Sequence, residues 1–286
     1  MISEAQFQAE LQLLITNAIR EDVGTGDYSS LACIPDTAHG QAQLLVKDQG
    51  IIAGVELAKM IFEHVDPKLK VKTFIEDGTH VEYGEVVFEV SGSSQSILKA
   101  ERLVLNTMQR MSGIATTTFN IVASLKDTQT QVLDTRKTTP NLRFLEKEAV
   151  KIGGGVNHRF GLYDMILIKD NHVDFAGGIK NAVDATYQYL HQKGLKIPVV
   201  VEVRNFTELE DLLANTKVDR VLLDNFSFTD LKNAVELIGD RLVTEASGGI
   251  TPDNAVEYAK CGVDFISMGA LTHSVKSLDM SLKAVI

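Results

Sequence analysis

The chain has 286 residues, 44% hydrophobic and 23% charged, which is ordinary for a globular protein with two domains or one large barrel. Its formal net charge of −10 argues against binding to nucleic acid or to an anionic membrane through the general field, so an anionic ligand needs a local cationic site. Two cysteines, Cys33 and Cys261, are too few for a disulfide framework and lack the spacing of a zinc site.

The N-terminal residues do not have the basic and apolar regions of a signal peptide. No apolar run approaches the roughly 18 residues that a membrane-spanning helix needs. We therefore expect a cytoplasmic protein.

Residues 1–112 predict a first domain that contains both helices and strands. An amphipathic helix runs from Ser3 to about Arg20, and Ser3 with Gln6 forms a capping box. The glycine-rich turn at 22–27 is too short for a calcium loop and is interpreted as structural. The remaining predicted elements are strands at 41–46, 71–74 and 86–90, a helix at 55–64, and a helix at 96–111 that stops at Ser112-Gly113.

The segment 71–90 resembles the hairpin of a biotinyl or lipoyl carrier domain. Its turn, Val81-Glu82-Tyr83, has no lysine to modify. A carrier function is therefore rejected, although the likeness can still describe the local fold.

From about residue 113, short apolar strands alternate with helices, which predicts βα units and a parallel sheet. Strands are predicted at 131–133, 165–168, 199–203, 221–223, 242–245 and 265–267. Thr207 with Glu210 predicts a capping box before a helix that continues to Asn215. Thr251 followed by Pro252 predicts the start of another helix, which Gly262 ends.

Polar or small residues follow each of these strands, at intervals of 22 to 33 residues from the second strand end onward. The ends of parallel barrel strands meet on one face, where active sites lie, so these residues predict a site. The last two strand ends, Ser247-Gly248-Gly249 and Met268-Gly269-Ala270, predict a phosphate site, because glycine lets backbone N–H groups approach an anion.

A basic cluster lies within residues 134–172. Arg143, Lys147 and Lys151 share helical spacing with Glu146 and Glu148, so we interpret them as a solvated helix face. The cations that lie outside this face are Arg136, Lys137, Arg159 and Lys169. Arginine is suited to carboxylates because its planar fork makes two parallel bonds.

Two carboxylates, Glu202 and Asp224, come at neighbouring strand ends. They could hold Mg²⁺ through water or bind ribose hydroxyls. The alternative is that they form ion pairs with Lys169 and Arg204.

Several runs of residues together resemble the quinolinate phosphoribosyltransferase family over nearly the whole chain. The runs are 21–27, 101–106, 134–140, 157–159, 168–172, 201–203, 222–225, 245–250 and 267–273. The combination of Asp134-Thr135-Arg136-Lys137-Thr138-Thr139-Pro140 with a downstream Asn157-His158-Arg159 is highly specific.

The resemblance implies transfer of phosphoribose from phosphoribosyl pyrophosphate to quinolinate, with decarboxylation, giving nicotinate mononucleotide, pyrophosphate and CO₂ in NAD biosynthesis, with Mg²⁺. It implies an α/β fold with an N-terminal α/β sandwich domain (1–112) and an incomplete, seven-stranded parallel α/β barrel (113–274) of the type II phosphoribosyltransferase kind. The tail 275–286 is expected to pack back on the first domain. A homodimer with shared sites, or a higher oligomer, is also implied.

The resemblance also implies roles for individual residues. The catalytic residues are Lys137, Lys169, Glu202 and Asp224, and Glu202 and Asp224 also contact ribose or the metal. The quinolinate carboxylates meet Arg136, His158, Arg159, Lys169 and, from the partner subunit, Arg102, while Lys137 and Lys169 face the pyrophosphate. The remaining substrate-binding residues are Thr135, Met268 and Ala270, with Ser247, Gly248, Gly249 and Gly269 at the 5′-phosphate.

Two alternatives stay open. Lys169 on a barrel strand could act as the nucleophile of a Schiff-base aldolase, which borohydride trapping of an adduct would reveal. A transferase of the same fold could also act on a different pyridine carboxylate.

Overall fold

The computed structural model describes residues 3–214 and 218–285. The predicted first domain begins at Met1 and Ile2, the predicted helix after Thr207 ends at Asn215, and the predicted tail ends at Ile286. These four residues lie outside the described residues. One compact unit comprises Asn120–Lys137 and Gly155–Ala270, and a second comprises the described residues of Ile2–Phe119, Thr138–Gly154 and Leu271–Ile286.

Helices and strands follow one another along the whole chain. Up to the middle of the chain they are α1 (Glu4–Val23), α2 (Tyr28–Cys33), β1 (His39–Val46), β2 (Gly50–Ile51), α3 (Val55–Val65), β3 (Lys70–Thr73), β4 (His80–Val81), β5 (Val86–Ser93), α4 (Ser94–Ser124), β6 (Gln131–Leu133) and α5 (Arg143–Ile152). They continue with β7 (Ile166–Ile168), α6 (Asp170–Ala176), α7 (Ile179–Lys193), β8 (Val199–Val203), α8 (Phe206–Leu213), β9 (Arg220–Asp224), α9 (Phe228–Ile238), β10 (Val243–Ser247), α10 (Ala255–Ala259), β11 (Phe265–Ser267), α11 (Ala270–His273) and β12 (Met280–Val285).

One unit contains an antiparallel sheet with the strand order β12-β1-β5-β3. Strand β12 pairs with β1 from Val46 to Gln41, so the end of the chain forms an edge strand beside the first strand. The alternating burial of β1 places Leu44 and Val46 in a core with Phe62 of α3 and Phe88 of β5. The predicted domain boundary at residue 112 stays a prediction.

The capping box predicted for α1 is confirmed. The Ser3 hydroxyl accepts from the Gln6 amide at 3.3 Å, and the Gln6 side chain accepts from the Ser3 amide at 2.8 Å. Leu11 and Ile15, four residues apart, are its buried residues.

The prediction that a helix stops at Ser112-Gly113 is wrong, because α4 continues to Ser124. A Cβ on Gly113 would lie 2.3 Å from the carbonyl oxygen of Lys276, so the glycine permits close contact with the C-terminal segment. The Ser112 hydroxyl, fully buried, accepts from the Ala53 amide at 2.8 Å. Ser112 and Gly113 therefore allow the helix to pack against neighbouring segments. A helix tolerates residues of low helix propensity when such packing compensates for their cost.

The other unit contains a parallel sheet with the strand order β6-β11-β10-β9-β8-β7. A single-residue parallel bridge between Leu133 and Val156 adds a seventh segment next to β6. Every residue of β8 is buried, as expected for a strand covered on both faces. The predicted α/β class is confirmed, with six full strands and a one-residue bridge among the described residues.

Two predicted helix starts are wrong. Helix α8 begins at Phe206 because Asn205 is its N-cap, accepting from the Glu208 amide at 3.0 Å. Helix α10 begins at Ala255 rather than at Pro252, and the Asn254 side chain accepts from the Thr251 amide at 2.8 Å. Asparagine competes well with threonine for such positions, and the sequence does not reveal which residue prevails.

None of the helices in the described ranges combines the length and the apolar character that crossing a membrane requires.

Candidate active site

Three of the residues predicted at the strand ends lie on one face of the parallel sheet. Glu202 of β8 is in register with Leu222 of β9, which is in register with Glu245 of β10, and Asp224 is in register with Ser247. Paired residues of neighbouring strands point to the same face, and so do residues two apart on a strand. Glu202, Asp224 and Ser247 therefore share a face with Glu245.

Lys169 and Glu202 form an ion pair with 3.3 Å between Nζ and Oε2. The Lys169 side chain is 50% exposed, whereas that of Glu202 is 8% exposed. The Lys169 ammonium is thus accessible to a ligand, and its ion pair with the buried carboxylate of Glu202 restricts its position. The sequence left open that Glu202 and Asp224 form ion pairs with Lys169 and Arg204. The pair with Lys169 is observed. The expected pair with Arg204 is wrong, because Arg204 pairs with Asp174 and Glu208.

Arg136 and Arg159 bring two positive charges together. Burial lowers the pKa of the Arg159 guanidinium, the charge of Arg136 lowers it further, and Asp164 opposes both. Arg136 is exposed and Arg159 is half-buried. Two cations that repel one another are stabilised by a dianion bound between them.

His158 is buried, and both of its ring nitrogens face hydrogen-bonding groups. Nδ1 accepts from the Arg159 amide at 2.7 Å, and Nε2 lies 3.4 Å from Oε2 of Glu245. An Nδ1 that accepts places the ring proton on Nε2, directed at Glu245. The His158 amide in turn donates to Asp134, fully buried, at 2.8 Å.

Glu245 and Arg220 were missed by sequence reasoning as site residues. Glu245 is fully buried in the middle of β10, and its Oε2 accepts from Arg220 Nη1 at 3.0 Å, while Oε1 has no hydrogen-bond partner among the described residues. The Arg220 guanidinium also lies 4.4 Å from the centre of the Phe265 ring. The sequence does place a glutamate and an arginine within predicted buried strands. This pattern could have predicted an ion pair, since such charges are buried only when they are paired.

Burial alone raises the pKa of the Glu245 carboxyl. The hydrogen bond from His158, together with the hydrogen bond and the charge of Arg220, outweighs burial and holds this pKa below its ordinary value. A depressed pKa in the folded state stabilises the fold above the pKa of the unfolded chain, and this contribution is lost as the pH falls through the folded-state value.

We expect Glu245→Gln to destabilise the protein by about 3 kcal/mol at pH 7, because the charge of Arg220 stays buried without its carboxylate. Urea unfolding of both proteins between pH 7 and pH 3 checks this. The difference in unfolding free energy should shrink as the pH falls below the ordinary glutamate pKa of 4.5, because the unfolded wild-type chain takes up a proton there before the folded protein does. A difference that stays constant with pH contradicts an ionised Glu245.

The turn after β10 is formed by Gly248 and Gly249. Gly248 has φ +95°, and a Cβ there would lie 2.2 Å from Oδ1 of Asn225, so only glycine is accommodated. Gly249 has φ +61°, and no atom lies within 4 Å of the position of its Cβ, so the space beside it is open. The Tyr258 hydroxyl donates to the Gly248 carbonyl at 3.3 Å, and the Asn254 amide donates to the Gly249 carbonyl at 3.1 Å. The turn is therefore held in place and borders open space.

The other predicted phosphate segment follows β11. Met268 is fully buried, and its amide donates to the Leu133 carbonyl at 2.9 Å, so its side chain belongs to the core. Gly269 and Ala270 are half-buried at the start of α11. After β6, the Thr135 hydroxyl accepts from the Lys137 amide at 3.0 Å, and Lys137 itself is exposed.

The prediction of a solvated face on α5 is wrong for Glu146 and Lys147, which are 1% and 2% exposed. Arg143 is half-buried, and its Nε donates to the Thr138 hydroxyl at 3.0 Å. Lys151 is exposed, as predicted, and it pairs with Glu148 at 2.8 Å. Spacing shows which charges share a helix face, but only packing decides whether water covers that face.

Arg102 lies on α4 in the other unit. It is exposed, and its Nη1 donates to Asn106 at 3.5 Å. It lines a groove of about 500 Å³ that Glu10, Glu21 and Asp22 of α1 also border. Among residues 3–214 and 218–285, no three His, Cys, Asp or Glu residues are grouped to hold a metal ion without further ligands.

Models of two domains of one protein family match the chain. "Quinolinate phosphoribosyl transferase, N-terminal domain" matches residues 27–112, and "Quinolinate phosphoribosyl transferase, C-terminal domain" matches residues 114–283. The chain belongs to the quinolinate phosphoribosyltransferase family. This membership confirms the resemblance seen in the sequence.

Relatives and a solved structure agree with this family. The "Nicotinate-nucleotide pyrophosphorylase [carboxylating], chloroplastic" of Arabidopsis thaliana is 48% identical, with 96% of this chain and 82% of that protein covered. The "Quinolinate phosphoribosyltransferase [decarboxylating] 2a, mitochondrial" of Nicotiana tabacum is 45% identical, with the same coverage. The structure of the nicotinate-nucleotide pyrophosphorylase from Francisella tularensis has a TM-score of 0.91 at 37% identity, covering 97% of this chain and 96% of that one.

Proposed function

We propose that this protein transfers phosphoribose from phosphoribosyl pyrophosphate to the nitrogen of quinolinate and releases CO₂ and pyrophosphate, forming nicotinate mononucleotide for NAD biosynthesis. The observation that carries the proposal is the match of both family domains, over residues 27–112 and 114–283, and the charges of Arg136 and Arg159 are consistent with an anionic substrate. The words carboxylating and decarboxylating in the names of the relatives describe this reaction in its two directions.

The substrate quinolinate carries two carboxylates on adjacent ring carbons. The arginine pair gives one carboxylate a planar set of donors, and the half-exposed ammonium of Lys169 supplies a third cation. His158 accepts a hydrogen bond from the Arg159 amide and so supports the position of Arg159. These four residues are our proposed quinolinate site, with Arg102 contributed by a partner subunit.

Phosphoribosyl pyrophosphate offers anions at both ends. The 5′-phosphate is proposed to bind the backbone at Ser247, Gly248, Gly249 and Gly269, because the open space next to Gly249 leaves room for an anion. Lys137, exposed, and Lys169 are proposed to face the pyrophosphate. Thr135, Met268 and Ala270 contribute backbone or hydroxyl contacts at the edges.

Glu202 and Asp224 are proposed to bind the ribose hydroxyls and Mg²⁺. Magnesium in phosphate-transferring sites keeps several waters and uses one or two carboxylates with the phosphates of the substrate. Glu202 and Asp224, two carboxylates on one face of neighbouring strands, fit this donor set. When bound, magnesium would neutralise part of the pyrophosphate charge.

The chemistry requires charge stabilisation more than a nucleophile. A ribose that loses pyrophosphate develops positive charge, which the carboxylates Glu202 and Asp224 stabilise, while cations stabilise the leaving group. Loss of CO₂ leaves negative charge on a ring carbon, which the arginine pair, as the proposed carboxylate site, would stabilise. Lys169 as a Schiff-base nucleophile of an aldolase is disfavoured, because the chain belongs to a phosphoribosyltransferase family.

We also propose a homodimer in which sites are shared, a higher oligomer being the alternative. The exposed position of Arg102 and the 91% exposed side chain of Phe175 support surfaces that a second subunit covers. Two unpaired cysteines support a cytoplasmic location. We propose a division into domains 1–112 and 113–274, with the tail 275–286 returning to the first domain. The change from one family model to the other between residues 112 and 114 supports the boundary, and the pairing of β12 with β1 supports the return of the tail.

The test is incubation of the protein with quinolinate, phosphoribosyl pyrophosphate and Mg²⁺, with nicotinate mononucleotide and CO₂ measured. We expect equal amounts of both products, and none when Mg²⁺ is removed with a chelator. Nicotinate in place of quinolinate is the control for a transferase acting on another pyridine carboxylate. Turnover with nicotinate and none with quinolinate contradicts the proposal.

A further inference from the structure

Arg110 and Glu146 form a buried ion pair that the proposed reaction does not use. Arg110 Nε donates to Glu146 Oε1 at 2.9 Å, and Nη2 lies 2.8 Å from the same oxygen. Glu146 is 1% exposed, and the Arg110 side chain is 27% exposed. A buried pair is weak evidence for stability, since apolar residues of similar volume often serve as well, so its other contacts matter.

Those other contacts tie down two separate chain segments. The second oxygen of Glu146 accepts from the Thr139 amide at 3.1 Å, and Arg110 Nη2 donates to the Thr139 hydroxyl at 3.3 Å. The same Nη2 donates to the carbonyl of Thr272, which is fully buried. The pair therefore fixes Thr139 and Thr272 relative to one another through these side-chain bonds.

Both segments lie close in sequence to proposed ligands of phosphoribosyl pyrophosphate. Thr139 follows Lys137 by two residues, and Thr272 follows Gly269 by three. Lys137 faces the pyrophosphate in the proposed function, and Gly269 faces the 5′-phosphate. Of the four proposed quinolinate residues, Arg136 directly precedes the first segment, whereas His158, Arg159 and Lys169 are not adjacent in sequence to either segment. A change in the spacing of the segments should therefore affect phosphoribosyl pyrophosphate more than quinolinate.

We infer that Arg110 and Glu146 are positioning residues, which set the spacing between the segments 137–141 and 269–273 and so align the two anionic ends of phosphoribosyl pyrophosphate. This inference rests on the proposed function and names residues that act on binding without touching a substrate. A misplacement of about 1 Å at such a site can cost about 100-fold in rate, so the alignment has a measurable effect.

The test is Arg110→Lys, which keeps a positive charge beside Glu146 but cannot reach three partners from one planar group. We expect the KM for phosphoribosyl pyrophosphate to rise about tenfold, with the KM for quinolinate changing less than about threefold, and kcat to fall. Glu148→Gln is the matched control, since Glu148 lies on the same helix as Glu146 and pairs with Lys151 at the surface. It should leave both KM values unchanged.

Glu146→Gln is the second variant. The glutamine oxygen can replace one of the two accepting oxygens of Glu146, but its NH₂ group cannot accept a hydrogen bond from Arg110 or from the Thr139 amide. We therefore expect a smaller rise in the KM for phosphoribosyl pyrophosphate than in Arg110→Lys. If Arg110→Lys does not fold, this variant carries the test. Equal changes in both KM values, or none in a folded variant, overturn the inference.

Hydrogen exchange of the unliganded protein gives a readout that does not depend on activity. Faster exchange in Arg110→Lys, confined to 137–141 and 269–273, supports the positioning role, and unchanged exchange overturns it. If the wild type lacks quinolinate-dependent activity, the proposed function fails, while the exchange result still decides whether the pair fixes these segments.

Discussion

Replacing Arg136 with alanine is expected to lower kcat/KM for quinolinate by about 1000-fold, the upper range for loss of one preorganised donor to developing charge. Arg136 is exposed, so the substitution leaves the core intact and the melting temperature close to that of the wild type. Removal of its charge also relieves the repulsion that lowers the pKa of Arg159, which adds no rate because Arg159 stays protonated in both proteins. Steady-state kinetics with quinolinate varied at saturating phosphoribosyl pyrophosphate measure the effect.

Lys180→Ala is the control for this experiment. Lys180 is an exposed cation of the same unit that pairs with Asp184 at 2.7 Å, so its removal changes the net charge equally without touching the site. It should keep wild-type kinetics. Full quinolinate-dependent release of pyrophosphate by Arg136→Ala contradicts the site assignment.

Mixing two inactive variants, Arg102→Ala and Lys169→Ala, is expected to restore about a quarter of the wild-type activity. Random exchange makes about half of the dimers hybrid, and each hybrid has one intact site of two if Arg102 enters the site of the partner. The measurement is nicotinate mononucleotide formation after mixing at several ratios, with exchange followed by differently tagged subunits.

The matched control pairs Lys169→Ala with Arg136→Ala. Both residues belong to one compact unit of one chain, so each site of this hybrid lacks one of them and no recovery is expected. Lack of recovery in the first mixture, despite demonstrated exchange, contradicts the shared site.

Much of the fold could be predicted from the sequence because its signals are local. The capping box of Ser3 and Gln6 depends on residues three apart, and the apolar strands between helices follow a short period. The strand order, by contrast, places β11 between β6 and β10, and this order depends on pairing between residues far apart in sequence.

Prediction failed where a residue faces a distant segment. Gly113 was predicted to end a helix, but it lies inside α4 and permits close contact with the backbone of Lys276. Glu146 was predicted to lie on a solvated face, but it is buried and accepts hydrogen bonds from Arg110 and Thr139. Propensity and charge spacing describe a helix in water. Neither helix propensity nor charge spacing accounts for the free energy of burying one face of a helix against another part of the chain.

The sequence by itself determined the types of residue in the candidate site and the order in which they come along the chain. The reason is that the ends of parallel strands converge on one face, independently of the conformation of the loops. It also determined the family, through the run from Asp134 to Pro140 and its companions. Only the tertiary structure decided which charges are accessible and which are buried partners: Lys169 half-exposed above Glu202, and Glu245 fully buried between His158 and Arg220. The reason is that burial and pairing depend on distances across the sheet, which no spacing along the chain specifies.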